Sequence, residues 1–469
     1  MPRRDGATSR RSRSTLARRR NTSAATWSAP RIGARRRRAA TGEPCSSCCQ
    51  RRWTAWREVN PPRVPVDNKS VRILQLHNRY REAGGEDSVV RDETRLLRAA
   101  GHEVVEHHVS NPSGALAAAG ALVLSPSNPM SARAVKRLVV SHRPDVAHIH
   151  NTWYSLSPSV VQALKQSGVP VVMTLHNYRL FCANALLFRD GRPCEDCIGT
   201  HPWRGVQHRC YRDSVVASAF AASTIALARA RRTWSTGVDR FVAPSWFLRE
   251  KLVAGGIPAE AIAVKPHGVD DPGARTAAPS NSRSVLFVGR LSHEKGADTL
   301  LDAWAARGAS RLELVMVGDG PLRKRLQARR VEGVRFAGWQ TQAEVAHLLL
   351  GARALVFPSV CYENLPRAVI EAMAAGLPVL ASDHGGPAEL VRELGPAWTA
   401  GAGDEWAWAG ALAVLDDDAA VDVAGARARA SFERQYTEEA SLTGLLDVYA
   451  SVLRGAADGL FVHETSSRG

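Results

Sequence analysis

The 469-residue sequence contains no long uninterrupted apolar segment. Asn111–Ala132 carries no charge but includes three prolines, and Ser214–Ala228 is shorter than the roughly 20 residues that a membrane-spanning helix needs. The N-terminal region is basic but lacks the apolar stretch of a secretory signal peptide. These absences argue against a membrane-spanning or secreted protein, and they predict a cytoplasmic location.

Acidic residues are scarce at the N-terminus, where the excess positive charge is concentrated. The formal net charge is +17, and residues 1–68 contain 17 arginines against four acidic residues, so the remaining chain is nearly neutral. Ser, Ala, Thr and Pro separate the arginine runs, a composition that predicts a disordered tail. The neutral body argues against a specific nucleic-acid partner. Two interpretations of the tail stay open: an arm that contacts polyanions or the anionic inner face of the plasma membrane, or an extension without function.

Cysteines are also few, and four of the eight lie within one short segment: Cys182, Cys194, Cys197 and Cys210. Structural disulfides are disfavoured in a reducing cytoplasm. The Cys-x2-Cys pair, flanked by Gly191 and Pro193, can present two thiolates to one tetrahedral ion. The sequence therefore leaves open a structural Zn²⁺ site, with His201 and His208 as alternative ligands, or free thiols and redox pairing.

From residue 71 onward, short β-branched segments alternate with segments of helical periodicity. Near-continuous apolar strands joined by helices are typical of a parallel sheet covered on both faces. A polar, Pro-containing stretch interrupts the alternation, which then restarts. We therefore predict an α/β protein with two doubly wound, Rossmann-like domains that face each other across a cleft. The predicted segments are a disordered tail 1–68, a first domain 69–269 with a Cys-rich insert 181–211, a linker 270–283, a second domain 284–436, a helix 437–454 and a tail 455–469.

Glycines and cations follow two of the predicted strands. Gly84 and Gly85 follow the first strand and open a helix, where backbone N–H groups can approach an anion. At the start of the second domain, Gly289 and Arg290 end a strand, and Lys295 precedes the next helix. This arrangement suits a diphosphate, because the backbone can come close while the two cations balance its charge. The alternative is a pair of solvated surface cations.

Two glutamates lie downstream, eight positions apart. Glu363 is in a loop after a strand, and the amides of Asn364 and Leu365 lie at the positive end of the following helix, a favourable place for phosphate or sugar oxygens. Glu371 lies within that otherwise apolar helix, so its carboxylate needs a partner. Ribose hydroxyls are suitable partners, and a salt bridge to a neighbouring base is the alternative.

The Glu363-x7-Glu371 spacing, with Gly289-Arg290 and Lys295-Gly296 before it, resembles the family-four retaining glycosyltransferases of GT-B fold. The resemblance extends from about Val71 to Leu453. Val317-Gly318-Asp319-Gly320-Pro321 falls where that family lines its nucleobase pocket, which makes Gly318 a candidate donor-binding residue. The insert with four cysteines resembles one found in some bacterial members, and it should overhang the acceptor side.

The resemblance implies transfer of a hexose, with retention, from a UDP- or GDP-sugar to a saccharide or lipid-linked acceptor in polysaccharide or glycolipid biosynthesis. It also implies that catalysis requires no metal, because protein cations stabilise the leaving diphosphate. Arg290 and Lys295 would hold this diphosphate, Glu363 the sugar hydroxyls and Glu371 the ribose. His150 and His176, at the ends of neighbouring strands, would contact the sugar, and Gly84 and Gly85 the donor phosphate and the acceptor.

The sequence departs from the family pattern at Asn364, where a glycine is common, and at His267, where an asparagine is usual. The first departure leaves the donor sugar open, because Asn restricts the loop more than Gly does. Two alternative functions remain: a phosphorylase or sugar-nucleotide epimerase of the same fold, and a polyanion-binding protein with an idle transferase body. The intact cations and glutamates argue against the idle body.

Overall fold

The computed structural model describes residues 70–79, 84–308 and 310–466, with side chains up to residue 455. The predicted disordered tail 1–68 lies outside this range. Within it, the chain forms two parallel six-stranded sheets covered by helices, as the sequence predicts. No helix in the described part of the chain is both long enough and apolar enough to cross a membrane.

The first sheet has the strand order β2-β1-β3-β4-β7-β8, with all neighbours parallel. Strands added after β1 lie on one side of it up to β2 and on the other side from β3 onward, so the direction of the strand order changes between β1 and β3. In such sheets, ligands bind near this point, at the carboxyl ends of the strands. The elements of this domain are β1 (Arg72–Arg79), α1 (Gly85–Ala99), β2 (Glu103–Ser110), α2 (Ala115–Val123), α3 (Pro129–His142), β3 (Val146–Asn151), α4 (Ser159–Gln166), β4 (Val171–Thr174), β5 (Phe188–Arg189), β6 (Arg192–Pro193), α5 (Arg204–Gln207), α6 (Val215–Ala230), α7 (Thr233–Gly237), β7 (Arg240–Ala243), α8 (Trp246–Ala254) and β8 (Ile262–Val264).

The second sheet has the order β11-β10-β9-β12-β13-β14, also parallel, and it reverses between β9 and β12. Residues 265–283, which include the predicted linker, contain one isolated β-bridge, from Val269 to Thr437, and one 3₁₀ turn, Pro279–Asn281. The elements are β9 (Ser284–Val288), α9 (Ala297–Ala306), β10 (Glu313–Val317), α10 (Arg323–Ala328), β11 (Val334–Gly338), α11 (Gln342–Leu350), β12 (Ala354–Phe357), α12 (Arg367–Ala374), β13 (Val379–Ser382), α13 (Gly385–Leu390), β14 (Thr399–Ala400), α14 (Glu405–Ala411) and α15 (Asp418–Gln435).

Local sequence explains why the elements that position the site form where they do. Helix α1 has acidic residues in its first turn, where their negative charges interact favourably with the positive end of the helix dipole. Its buried residues, which include Val89, Val90 and Leu97, recur at helical spacing and pack against the first sheet. The central strand β3 is buried along its whole length, as expected for a strand covered on both faces.

The last helix, α16 (Glu438–Ser466), returns to the first domain. Its side chains Leu445, Val448, Tyr449 and Val452 share one hydrophobic cluster with residues of β1, α1 and the neighbouring strands. The helix also extends to Ser466, beyond the predicted end at residue 454. The core of the first domain is thus completed by the C-terminal part of the chain.

Candidate active site

Two loops of the second domain, at the carboxyl ends of β9 and β12, are held in close contact with each other. The 3₁₀ turn His293–Lys295 ends at Gly296, which has a left-handed φ of 70°. A Cβ at this glycine would lie 2.0 Å from the carbonyl oxygen of Pro358, so no other residue fits without movement. The amide of Val360 donates to the carbonyl oxygen of Glu294 at 2.9 Å. These contacts fix the position of the predicted diphosphate-binding lysine.

Lys295 and Glu363, which the sequence assigns to the diphosphate and the sugar, form an ion pair across these loops. Glu363 Oε1 also accepts a hydrogen bond from Ser359 Oγ at 3.1 Å. Burial opposes the charge on Lys295, but the neighbouring negative charge of Glu363 raises the pKa of the lysine above its ordinary value. The lysine therefore stays cationic, next to a carboxylate that can accept hydrogen bonds from hydroxyl groups.

The glycines predicted to bind the donor also have a role in packing. Gly318, with a φ of 134°, approaches Gly289 so closely that a Cβ would lie 2.0 Å from the Gly289 carbonyl oxygen. The Gly318 amide donates to the carbonyl oxygen of Gly338 at 2.8 Å. Arg290 follows at the end of β9 and is exposed. The two glycines thus allow the backbones at the ends of β9 and β10 to come into contact, and the exposed side chain of Arg290 lies beside them.

The second glutamate pairs with an arginine. Glu371 Oε1 lies 3.6 Å from Nε of Arg367, one helical turn earlier, and an Arg367 Nη lies 3.0 Å from Asp92 Oδ2 on α1. Burial raises the pKa of Glu371, and the positive charge of Arg367 opposes this increase. The structure therefore contains the salt bridge that the sequence offers as the alternative to ribose binding. Arg367, a third cation at this site, is not among the predicted residues.

Asn364 and Leu365, between the two glutamates, are buried. The side-chain amide of Asn364 donates to the backbone carbonyl oxygen of His176 at 2.7 Å. On the other side of the contact, the carboxylate of Glu389 accepts hydrogen bonds from the amides of Trp246 and Phe247, at the start of α8, both at 3.1 Å. The loops of the second domain therefore rest directly on strand and helix ends of the first.

His150 and His176 are brought together, as predicted. Nδ1 of His150 lies 3.2 Å from Nε2 of His176, and the rings stack with centroids 5.5 Å apart. His150 is buried, with Nε2 at 3.7 Å from Glu93, whereas His176 is partly exposed. Burial, reinforced by nearby cationic groups, lowers the pKa of His176 to about 3 and that of His150 well below its ordinary value. Both rings are neutral, and His176 is the one whose backbone contacts the loop that carries Asn364.

Gly84 and Gly85 lie at the N-terminus of α1 and are exposed. The Gly84 amide donates to Asp87 Oδ2 at 3.0 Å. A Cβ at Gly84 would meet nothing within 4 Å, and a Cβ at Gly85 would meet Cδ of Arg367 at 3.9 Å, an ordinary contact. The packing of the described residues therefore does not require glycine here, and contact of Gly84 and Gly85 with a donor phosphate stays a prediction.

Glu86, directly after these glycines, is a candidate that the sequence-based prediction missed. Its side chain is 10% exposed, its Oε1 lies 3.7 Å from Nδ1 of His77, and it hydrogen bonds to Asn151 and Asn177 at the ends of β3 and β4. Burial, with added repulsion from Asp87, raises the pKa of Glu86 to about 8. This carboxyl group therefore carries a proton at neutral pH and can donate a hydrogen bond. The acidic pair after the glycine pair was the available sequence signal.

A buried polar cluster lies behind the histidines, between the first sheet and helices α1 and α16. Lys265 forms an ion pair with Glu93, and the two ring nitrogens of His148 contact Tyr449 Oη at 2.8 Å and Thr174 Oγ1 at 2.7 Å. Among the described residues, Glu93, His148 and His150 form the one group of three potential metal ligands within 4.8 Å of one another. Because protein groups already occupy both His148 nitrogens, the cluster is better explained as a structural network.

The four cysteines of the insert are neighbours without forming a coordination shell. Burial raises the pKa of Cys197 and that of Cys210 to about 11 each, and charge repulsion from Cys182 adds to both increases. The backbone amide of Gly205 hydrogen bonds to Cys197. No three of the cysteine sulfurs lie within 4.8 Å of one another, whereas tetrahedral zinc needs sulfurs about 3.8 Å apart. Zinc binding here would require the side chains to move closer together, and a structural zinc in the insert stays a prediction.

The protein-family models that match the chain agree with this two-domain site. Residues 83–271 match the model described as Glycosyltransferase Family 4, and residues 282–418 match the model described as Glycosyl transferases group 1. A GDP-mannose-dependent alpha-mannosyltransferase of Mycobacterium tuberculosis is 32% identical over 290 residues, which cover 58% of this chain and 72% of that protein. An amylovoran biosynthesis glycosyltransferase of Erwinia amylovora is 30% identical over 217 residues, 43% of this chain and 53% of that protein.

Solved structures share the fold at low sequence identity. Anabaena Alr3699/HepE in complex with UDP and glucose superimposes with a TM-score of 0.58 at 18% identity, covering 81% of this chain and 100% of that one. Sucrose-phosphate synthase from Thermosynechococcus elongatus gives a TM-score of 0.62 at 21% identity, covering 82% and 100%. The structural similarities show a shared fold, whereas the sequence matches show membership of a protein family. The chain belongs to the family-four glycosyltransferases, with the GT-B arrangement of two Rossmann-like domains.

Proposed function

We propose that this glycosyltransferase moves a hexose, with retention, from a UDP- or GDP-sugar to a saccharide or lipid-linked acceptor in polysaccharide or glycolipid biosynthesis. The observation that carries the proposal is the Lys295–Glu363 pair, held by two interlocked loops next to His176. The names of two relatives, one GDP-mannose-dependent and one acting in amylovoran biosynthesis, support the donor and the pathway. The UDP complex of a protein with the same fold supports a nucleotide site.

The residues of the site divide the reaction between them. Arg290 and Lys295 balance the charge of the diphosphate, and this stabilisation grows as the bond from the sugar to the phosphate oxygen breaks. Glu363 accepts hydrogen bonds from the sugar hydroxyls while positive charge develops at the anomeric carbon. The acceptor hydroxyl forms its new bond on the face that the diphosphate leaves, and its proton passes to the departing phosphate. No step in this scheme needs a metal ion.

The division of labour between the glutamates gives the sharpest test. Glu371→Ala should weaken calorimetric binding of bare UDP or GDP, because the ribose contact is lost. Glu363→Ala should leave this binding nearly unchanged and depress the rate of transfer, since its contact matters most in the transition state. Equal losses of nucleotide binding in the two variants would reject the assignment. Full activity of Lys295→Ala would remove the diphosphate from this loop.

Metal independence is tested in the same assay. We expect transfer to persist in EDTA, because the two cations supply the charge that Mg²⁺ supplies elsewhere. The metal content of the purified protein, measured before and after chelation, separates a structural zinc in the cysteine insert from a catalytic ion. Activity that is lost in EDTA and restored by Mg²⁺ or Mn²⁺ would contradict the scheme. Nucleotide release without net transfer, or phosphate as the acceptor, would favour the phosphorylase or epimerase alternative.

A further inference from the structure

Helix α2, Ala115–Val123, is apolar on all sides, but only one side, with Ala121 and Leu122, packs against a small buried cluster around Trp153 and Tyr154. Its sequence, ALAAAGALV, has no polar side chain, and none of its residues is buried. Leu116 is 91% exposed, and Val123, two helical turns later on the same face, is 54% exposed. Helices that are apolar all round are normally enclosed by protein or lipid. The outer side of this helix, with Leu116 and Val123, therefore presents apolar side chains that no residue of the described structure covers.

The outer face of helix α3 continues this surface with a mixed character. Met130, Arg133, Arg137 and Val140 follow one another at steps of three and four residues, so they share one helical face. All four are exposed, Met130 at 70% and Val140 at 77%. Val135, on the opposite face, is fully buried against the first domain. The helix is thus anchored on one side and offers apolar and basic side chains on the other.

Helix α6 runs beside α2 and adds to the surface. Ser125 Oγ lies 2.9 Å from Thr224 Oγ1, and an Arg231 Nη donates to Ser127 Oγ at 3.3 Å. The two contacts advance along both chains in the same direction, so the segments run parallel. The exposed Val215 and Val216, at the start of α6, therefore lie toward the end of α2 that carries Leu116.

The charge of this surface identifies what covers it. Residues 111–144 and 212–238 together contain eight arginines and lysines against a single acidic residue, Asp213. A second copy of the same face would be repelled by like charge, and a nucleic acid would not require exposed Leu, Met and Val. An interface that inserts apolar side chains between anionic headgroups satisfies both features. We propose that α2, the outer face of α3 and the start of α6 form a docking surface for an anionic lipid bilayer.

The docking surface lies next to the entrance of the site. Asn111, five residues before Leu116, accepts a hydrogen bond from the Asn78 amide at 2.9 Å, at the carboxyl end of β1. This is the edge of the sheet at which Gly84 and Glu86 begin α1. A protein docked through α2 therefore holds its acceptor-side domain close to the bilayer. The docking surface itself does not depend on the identity of the acceptor.

Vesicle co-sedimentation of the full chain tests the proposal. The mixed vesicles contain phosphatidylglycerol and phosphatidylcholine, the reference vesicles phosphatidylcholine alone. A double variant, Leu116→Gln with Met130→Gln, removes apolar area without changing charge, so the contribution of the arginine-rich N-terminal region is unaltered. We expect the partition coefficient for mixed vesicles to fall about tenfold. The difference should persist near 1 M salt, where the Debye length is about 3 Å and charge attraction is suppressed.

The matched control carries Trp406→Gln and Val423→Gln, two comparably exposed side chains of the second domain. It should bind vesicles like the unchanged chain. Thermal unfolding of both variants should be unchanged, because all four side chains are exposed. Equal binding by the docking-surface variant and the unchanged chain would overturn the proposal. An equal loss in the control would overturn it too, as would a dimer of the unchanged chain that the docking-surface variant dissociates, because a second copy would then cover the surface.

Discussion

At the level of single residues, the glycines of this chain have two different physical roles. Gly386 must be glycine, because a Cβ there would lie 1.7 Å from the carbonyl oxygen of Asn364. At Gly84 a Cβ would meet nothing within 4 Å, and at Gly85 it would meet only Cδ of Arg367 at 3.9 Å. The same residue type therefore serves internal packing in the second domain and, on the proposed function, access to the donor phosphate in the first.

Gly85→Ala separates these roles. Alanine fits the helical start of α1, and the loss of unfolded-state entropy should raise the free energy of unfolding by about 0.4–1 kcal/mol. The added methyl group should at the same time weaken calorimetric binding of UDP or GDP, since it keeps the phosphate away from the backbone. Gly386→Ala is the comparison, and it should lose stability in urea unfolding. Undiminished nucleotide binding by Gly85→Ala would show that the phosphate does not approach this turn.

Glu86 makes stability depend on pH in an unusual direction. The pKa of its carboxyl group rises from the ordinary 4.5 to about 8 in the folded state, so the folded protein holds a proton that the unfolded chain has released. Between these two values, stability falls as pH rises, by up to about 1.4 kcal/mol per pH unit. Below pH 4.5 both states are protonated, and the effect of the group is constant.

Glu86→Gln keeps a neutral hydrogen-bonding group and should abolish this loss. The variant should gain stability relative to the unchanged chain as the pH of urea unfolding increases from about 4.5 to about 8. Glu344→Gln is the opposite case, because the Thr341 amide lowers the pKa of Glu344, so that its contribution disappears only at acid pH. A stability difference that does not vary with pH would show that Glu86 is ionised in the folded protein.

At the level of elements, the sequence predicted best those segments whose residues are buried on a periodic face. The sequence predicts a strand at Val71–His77 and helices at Ala297–Ala306 and Gln342–Leu350, and β1, α9 and α11 lie within two residues of these positions. The helices α2, α3 and α6 were not predicted. Helix α2 is apolar all round and α6 is rich in Ala and Ser, so neither shows the alternation of polar and apolar faces on which the prediction depends. Their surroundings, rather than their pattern, determine which face is covered.

The cysteine insert of the first domain contacts both the loop that carries Glu363 and the loop that carries Lys295. Glu195 lies 2.6 Å from Lys251 and hydrogen bonds to Tyr362, the neighbour of Glu363. A Cβ at Gly191, on the turn of the β5–β6 hairpin, would lie 3.1 Å from Nε2 of His293, two residues before Lys295. The positions of the cysteines define the insert, but they do not show that it reaches the second domain, because these contacts join residues far apart in the chain.

Glu195→Gln should weaken the contact between the insert and the loop that carries Glu363 without unfolding the insert. The variant loses the charge that attracts Lys251 but keeps a side chain that can hydrogen bond to Tyr362. We expect a several-fold higher KM for the nucleotide sugar with a smaller change in kcat, measured by initial rates. Asp190→Asn on the same hairpin is the control, since its exposed carboxylate contacts only the adjacent Arg189 in the described structure. Equal kinetics of the two variants would separate the insert from donor binding.

At the level of the whole molecule, the C-terminal helix returns to pack on the first domain. Helix α16 follows the second domain in sequence but packs in the first, where Leu445 and Tyr449 are almost fully buried. Tyr449 also contacts His148 in the polar cluster behind the site. The sequence predicted a terminal helix but not its place, because an amphipathic segment does not specify which of two sheets it covers.

The first domain should therefore be unable to complete its core without the end of the chain. Leu445→Ala removes a buried side chain between α16 and the first sheet, and it should lower the free energy of unfolding by about 2–5 kcal/mol. Val423→Ala on α15, where the side chain is half exposed, should change it by less than about 0.5 kcal/mol. Urea unfolding followed by far-UV circular dichroism gives both values. Because α16 joins the two domains, the unchanged chain should unfold in a single transition. A Leu445→Ala variant as stable as Val423→Ala would show that the first domain folds independently of the helix that crosses back to it.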